Sequence, residues 1–261
     1  MPSWRSESIL ARVLLLSAGA AAMAWAVATF PVFQSENSIS NVARGVKAGE
    51  VFKVQVLNSA EAKIRSDESI TRRSSALQKV ALIRLRRAED AINTGDVDAI
   101  DRDLESLSRA IDNLLASAPS DSFFWFVRFW LADTRFGLHS ENLAQLRMSY
   151  EQGPYEGWIS VKRNRTALAI LSILPRDLAD RAIAEFVALV RWGFSIDAAE
   201  IAARLDRPRR ELLFARLKDV KIEQRRQLAD ALYKREVDDV LVPGIEPPSQ
   251  PSQMPILPPG Y

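Results

Sequence analysis

Residues 74–117, SSALQKVALIRLRRAEDAINTGDVDAIDRDLESLSRAIDNLLAS, decide the fold. In the second half of this stretch apolar side chains recur every three or four positions, which places them on one face of a helix. These residues are Val97, Ile100, Leu104, Leu107, Ile111, Leu114 and Leu115. Gly95 closes the first half, where the C-terminal end of a helix favours a left-handed residue. The pattern predicts helices over 74–94 and 97–117.

Residues that end or begin helices recur towards the C-terminus. Helices tolerate proline at their starts but not in their interiors, and four prolines separate long stretches rich in Ala, Leu, Arg and Glu: Pro119, Pro154, Pro175 and Pro208. The intervening segments predict helices at 121–136, 140–152, 156–172, 176–192, 196–205, 208–219 and 222–236. The best strand-like alternation, at 51–56, is short enough to belong to a helix or a loop. The sequence therefore predicts an all-α body, an irregular antiparallel helical array.

An uncharged run of 23 residues, 13–35, precedes this body, and Arg5 and Arg12 lie just before the run. About 20 apolar residues let a helix cross the hydrocarbon core, and positive charges before a first apolar segment tend to stay in the cytoplasm. We therefore expect residues 1–35 to form a cytoplasmic N-terminal tail and a transmembrane helix, with the body exported. Residues 26–28, Ala-Val-Ala, also match a cleavage pattern, so a signal peptide is the alternative interpretation.

The remaining chain divides by composition. Residues 36–73 are interpreted as a connecting segment, 74–242 as a helical-repeat-like domain and 243–261 as a tail. The tail carries seven prolines in 19 residues and almost no charge, which is typical of extended, disordered chain. A polyproline ligand for a partner is the alternative interpretation of this tail.

Composition excludes several kinds of chemistry. Lys and Arg number 35 against 33 Asp and Glu, so the net charge of +2 indicates no polybasic surface. The absence of cysteine rules out disulfides, thiolate nucleophiles and cysteine-ligated zinc, and the single histidine, His139, cannot form a two-histidine metal site. We expect no cofactor, no metal site and no catalytic residues, and we interpret His139 as a surface or capping residue.

Seven of the 21 aromatic residues lie between positions 123 and 136 and point to all sides of one predicted helix. Such a helix is expected to be buried by neighbours on both flanks, and a sugar-stacking platform is the alternative. The seven residues are Phe123, Phe124, Trp125, Phe126, Phe129, Trp130 and Phe136.

The segment 153–165 is the best candidate for a binding site. A glycine-containing turn leads into a helix on which Trp158, Lys162 and Arg165 share one face by i, i+4 and i+7 spacing. An aromatic ring beside cations suits an anionic glycan, a lipid phosphate or an acidic helix. The alternative is an inter-helix turn with a basic surface. The predicted binding residues are Tyr155, Trp158, Lys162, Arg163 and Arg165.

The segments that open with proline resemble a tetratricopeptide repeat. Pro119 and Pro154 lie 35 positions apart, close to the 34-residue unit of that family, and each precedes a predicted helix that carries a tryptophan, Trp125 or Trp158. The resemblance covers about residues 75–175. It implies a helical-repeat fold and a scaffolding role.

Two longer runs look like a group of bacterial single-pass membrane proteins with tetratricopeptide-like domains, encoded among genes for surface-polysaccharide assembly. The runs are PSDSFFWFVRFWLADTRFG at 119–137 and LAQLRMSYEQGPYEGWISVKRNRTALA at 143–169. This likeness implies an inner-membrane location with a periplasmic body, other envelope proteins as partners, and an accessory role in exopolysaccharide or O-antigen synthesis or export. It implies no catalytic residues.

These observations favour a periplasm-facing scaffold for protein–protein interactions rather than an enzyme. One alternative is a periplasmic enzyme that acts on glycans through an unrecognised acidic pair. The other is a membrane-tethered DNA-binding regulator, because 198–205 and 208–217 scan like a helix-turn-helix. That unit would need a cytoplasmic body and has no glycine in its turn, so we expect no nucleic-acid partner. Its basic residues are Arg207, Arg209, Arg210 and Arg216.

Overall fold

The computed structural model describes residues 4–67, 70, 74–154 and 156–246, and within these it describes all side chains except those of 4–14, 28–38 and 74. The regular structure of these residues is helical and includes no strand, which confirms the predicted all-α class. The chain divides into two compact units, Met1–Ser120 and Asp121–Tyr261. The predicted domain at 74–242 includes parts of both units. The predicted disordered tail lies outside the described residues from position 247 onwards.

Unit 1 contains helices α1 (Trp4–Lys47), α2 (Val54–Ser66), α3 (Ser74–Thr94) and α4 (Val97–Ser117). Helices α3 and α4 have the predicted boundaries. They form a hairpin because Gly95 adopts a φ of 72° and ends α3, while the Asp96 carboxylate accepts a hydrogen bond from the Ala99 amide at 3.1 Å and caps α4. The predicted apolar face of α4 is buried from Leu104 to Leu115.

The segment 36–73, interpreted from the sequence as a connection, contains the end of α1 and all of α2. Ile39 and Ala43, near the end of α1, are buried and lie where that helix packs against α3. Leu57 and Ile64 bury one face of α2 in the same unit. The strand-like alternation at 51–56 therefore leads into a helix.

Helix α1 is 44 residues long. The side chains at 15–27 are all exposed, and the larger apolar ones keep 69–74% of their surface in contact with solvent: Leu15, Leu16, Met23, Trp25 and Val27. Among the residues that the structure describes, we find no helix with the length and apolarity needed to cross a membrane.

Unit 2 contains α5 (Ser122–Phe136), α6 (Leu143–Gln152), α7 (Gly157–Ala169), α8 (Arg176–Arg191), α9 (Ser195–Ala203), α10 (Arg207–Ala215) and α11 (Ile222–Tyr233). Short 3-10 turns at Ser140–Asn142 and Leu171–Ile173 join some of them. Consecutive helices pack in pairs, α5 with α6 and α7 with α8, and α9 packs against α8 and α11. The core around α8 is built from Phe186, Leu189, Leu213, Phe214 and Leu228.

The aromatic helix predicted at 121–136 is α5, and its burial is uneven. Phe123, Phe124, Phe126 and Phe129 are buried, as the core interpretation predicts. Trp125 and Trp130 are half-buried. Phe136 is 65% exposed, so the prediction of a core position is wrong there, because α5 ends at this residue.

Candidate functional site

The predicted binding segment begins beside the aromatic helix. Trp158, in the first turn of α7, keeps 41% of its surface exposed, and its ring centroid lies 4.7 Å from that of Phe123. The Lys162 ammonium lies 5.9 Å from the same Phe123 centroid, within the range of a cation–π contact. Trp158 and Lys162 thus contact one ring of α5. Tyr155 lies outside the described residues.

Arg165 projects from α7 towards α9. Its Nη2 donates to Glu200 Oε1 at 2.7 Å, and Arg204 donates to the same oxygen at 3.0 Å. Both side chains of the Arg165–Glu200 pair remain about 40% exposed. The charge of Arg165 is therefore already shared with a carboxylate of its own unit.

Arg163 faces the core and is completely buried. Its Nε donates to both carboxylate oxygens of Glu185 on α8, at 3.2 and 3.3 Å. Its two Nη atoms donate to the Ser149 carbonyl at 2.6 Å and the Gly153 carbonyl at 3.1 Å. No atom of the Arg163 side chain reaches the surface, so the structure places this predicted binding residue in the core, whereas Lys162 is exposed and Arg165 is half-buried.

The guanidinium of Arg163 also lies over Tyr150, with Cζ 4.1 Å from the ring centroid. Burial, and then the negative charge of Glu185, raise the pKa of Tyr150 well above its ordinary value of 10.0. The ring therefore stays neutral well above pH 7, and its electron-rich face lies towards the cation. We call Ser149, Tyr150, Gly153, Arg163 and Glu185 the Arg163 node, which ties α6, the following turn, α7 and α8 together.

Unit 1 contains a comparable set of buried ion pairs. Glu61 of α2 accepts from Arg84 of α3 at 3.3 Å, and Asp103 of α4 accepts from Arg87 of α3 at 3.1 and 3.2 Å. Both carboxylates are almost fully buried. Because their lone pairs face arginines of neighbouring helices, these carboxylates hold α2, α3 and α4 together.

A groove of about 220 Å³ borders these pairs in unit 1, and its charged lining has both signs. The cations are Arg87 and Arg102, and the acids are Asp90, Asp96 and Asp103. Because Arg87 forms an ion pair with Asp103, the positive and negative charges of the lining largely cancel.

Most basic residues of the segment that resembles a helix-turn-helix form ion pairs within unit 2. Arg207 donates to Glu211 at 2.8 Å, and Arg209 lies 3.8 Å from Asp206. Arg210 binds Asp239 and the Leu205 carbonyl. Arg216 is exposed and lines a groove instead.

That groove runs along α8, encloses about 660 Å³ and was not foreseen from the sequence. Its lining residues come from one face of α8, from the helix end at Trp192 and from Arg216 beyond α10. They are Arg176, Asp180, Ile183, Ala184, Val187, Ala188, Arg191, Trp192 and Arg216. Arg176 and Arg191 lie 15 positions apart, about four helical turns, which places them on a similar face of α8, but the approach of Arg216 depends on tertiary folding.

The single histidine is at the surface, as predicted. His139 is exposed, and its Nε2 lies 2.8 Å from the Phe136 carbonyl oxygen, next to the end of α5. Within the described residues we find no group of three or more His, Asp or Glu side chains placed to hold a metal ion.

The fold and its ion pairs define a two-unit all-α protein with buried Arg–carboxylate ties. Comparison with protein-family models, curated proteins and solved structures finds no match to this chain.

Proposed function

We propose that this protein is a membrane-anchored helical scaffold of the inner membrane, whose periplasmic body binds other proteins of an envelope polysaccharide synthesis or export system. One observation carries the proposal. The large apolar side chains of α1 between positions 15 and 27 are exposed, while Ile39 and Ala43 of the same helix are buried within unit 1. Exposed apolar surface of this kind favours a lipid or protein partner.

The polar chemistry of the body supports binding rather than turnover. The buried ionic groups of both units, such as Glu61 and Arg163, are bound to partners on neighbouring helices. Grooves and half-exposed aromatic residues lie on the surface instead, which suits recognition by shape and charge. The polysaccharide pathway comes from the resemblance of 119–137 and 143–169.

The topology can be tested with a tag after Tyr261. We expect protease to digest the tag in spheroplasts but not in intact cells, and we expect the chain in the membrane fraction. Leu16→Arg/Met23→Arg should remove the chain from that fraction, because an arginine within a membrane helix costs up to about 3 kcal/mol, most of all at the centre, where Met23 lies. Val51→Arg/Val97→Arg is the matched control, since these valines are also exposed but lie outside the apolar run. A tag protected in both preparations would contradict the periplasmic location.

The role in polysaccharide assembly needs its own measurement. Deletion of the gene should lower the amount of surface polysaccharide, and the wild-type chain should restore it. Leu16→Arg/Met23→Arg should not restore it, whereas Val51→Arg/Val97→Arg should. Unchanged polysaccharide after deletion would contradict the proposed pathway.

A further inference from the structure

The α8 groove carries an excess of positive charge. Three arginines line it, Arg176, Arg191 and Arg216, against a single acid, Asp180. Arg176 lies 3.9 Å from Asp180, and both side chains are more than 60% exposed, so this contact is weak. Within the described part of the chain, Arg191 and Arg216 form no ion pair and no side-chain hydrogen bond. Two guanidinium groups therefore face the groove with their charge uncompensated.

The floor between these cations is apolar and shallow. Ala184 and Ala188 lie four positions apart on α8, with Ile183 and Val187 beside them. Residues at this spacing share a helix face, and alanines there let a second backbone approach closely. At the C-terminal end of α8 the half-exposed Trp192 adds a flat apolar wall.

The dimensions of the groove match a short helix. Arg176 and Arg191 lie 15 positions apart on α8, about 22 Å at 1.5 Å per residue. A partner helix of about four turns would lay apolar side chains over Ala184 and Ala188. Carboxylates at its ends would then meet Arg176 at one end and Arg191 with Arg216 at the other, where arginine binds both carboxylate oxygens.

We propose that the α8 groove docks an acidic amphipathic helix of a partner protein. This inference rests on the proposed scaffold function and names the chemistry of the partner. The groove in unit 1 does not offer the same complementarity, because Asp90, Asp96 and Asp103 line it together with its arginines.

The test uses the full chain in phosphatidylcholine nanodiscs and a fluorescein-labelled 18-residue helical peptide. The peptide has leucine at i, i+3, i+4 and i+7 spacing and glutamate on the flanks, and its matched analogue has lysine in place of glutamate. Fluorescence anisotropy, corrected with empty nanodiscs, should show binding of the glutamate peptide that weakens as NaCl increases.

Two kinds of variant separate the charge of the groove from its shape. Arg191→Glu/Arg216→Glu should weaken binding of the glutamate peptide at least tenfold. Ala184→Trp fills the floor of the groove without changing its charge. Because Ala184 is exposed, the larger side chain should not disturb the core, and it should weaken binding at least fivefold. Arg204→Glu/Arg226→Glu is the matched control, since these exposed arginines of unit 2 do not line the groove, and it should change affinity less than twofold. Circular dichroism verifies that each variant is folded.

Equal affinity for the glutamate and lysine peptides, or equal loss in the control variant, would overturn the proposal. A labelled tetragalacturonate is the third probe. If it binds in the groove while the glutamate peptide does not, the site takes an acidic glycan and the proposal fails. Any of these results would leave the topology measurements standing, so failure of the groove can be distinguished from failure of the scaffold function.

Discussion

Arg163 is a cation held without solvent contact inside unit 2. Moving a charge out of water costs several kcal/mol, and only a complete set of partners offsets that cost. The planar guanidinium meets this requirement because its donors reach Glu185, Ser149 and Gly153 in fixed directions. The Arg163 node therefore depends on both ions being present together.

Removal of one ion of the pair should be much worse than removal of both. We expect Glu185→Ala to lower the free energy of unfolding by about 3–5 kcal/mol, because it leaves the Arg163 charge buried and unpaired. Arg163→Met/Glu185→Leu should recover part of this loss, although the Ser149 and Gly153 carbonyls then lack their donor. Urea denaturation followed by circular dichroism measures both.

The control for this pair is Arg165→Ala, which breaks an exposed ion pair with Glu200 and should cost about 1 kcal/mol or less. If Glu185→Ala costs no more than Arg165→Ala, the Arg163 node does not stabilise unit 2.

The sequence could place Lys162 and Arg163 on a helix but could not distinguish their environments. Arginine is rarely buried completely, so the basic run 162–165 favoured a surface interpretation. Burial of Arg163 depends on Glu185, which lies 22 positions further along the chain on another helix. A single sequence does not show that contact. The local spacing of Trp158 and Lys162 was sufficient to place both on one face of the helix, but their common contact with Phe123 was not predicted.

At the scale of the elements, glycine and proline predicted most helix starts to within one residue, but α7, α10 and α11 end three or four residues earlier than predicted. Helices α3 and α4 begin and end at the predicted residues, and α8 differs from its prediction by one residue. Helix α2 was missed because no glycine or proline closes it and because Glu61 interrupts its apolar face. That carboxylate is tolerated in a buried position only because Arg84 of α3 binds it.

The contact between α5 and the end of α6 allows a steric prediction. A Cβ atom on Gly153 would lie 2.2 Å from Ser122 Oγ and 2.5 Å from Ser122 Cβ. We expect Gly153→Ala to destabilise unit 2 by about 1–3 kcal/mol, because the two helices must separate or distort. Thermal unfolding of the full chain, measured by circular dichroism, should show this loss.

Ser122→Gly removes the two nearest atoms that this Cβ would meet and leaves Glu156 Oε1 at 2.9 Å, the end of a flexible side chain. Gly153→Ala/Ser122→Gly should therefore be more stable than the sum of the two single substitutions implies. Additive losses of stability would show that the contact with Ser122 is not the cause of the destabilisation by Gly153→Ala.

At the scale of the whole molecule, each unit has its own buried core. Leu107 is fully buried in unit 1, and Leu189 is fully buried in unit 2. A cavity in the core of one unit removes contacts within that unit, and compact units of this kind can unfold as separate cooperative segments.

We therefore expect Leu107→Ala and Leu189→Ala each to cost about 2–5 kcal/mol in their own unit. Hydrogen exchange followed by mass spectrometry should show faster exchange in 74–117 for Leu107→Ala and in 176–233 for Leu189→Ala. Each variant serves as the control for the other. Faster exchange in both segments from either variant would mean that the units unfold as one.

Helix α1 joins an exposed apolar surface to a buried end within one continuous element. Each residue turns an α-helix by about 100° and advances it by about 1.5 Å. Because Ile39 and Ala43 fix the rotation of α1 within unit 1, the azimuth of every side chain at 15–27 is fixed as well. One residue inserted between Val27 and Ile39 would swing that whole surface about a quarter-turn around the axis, so the number of residues between the two ends of α1 sets the direction in which the surface faces.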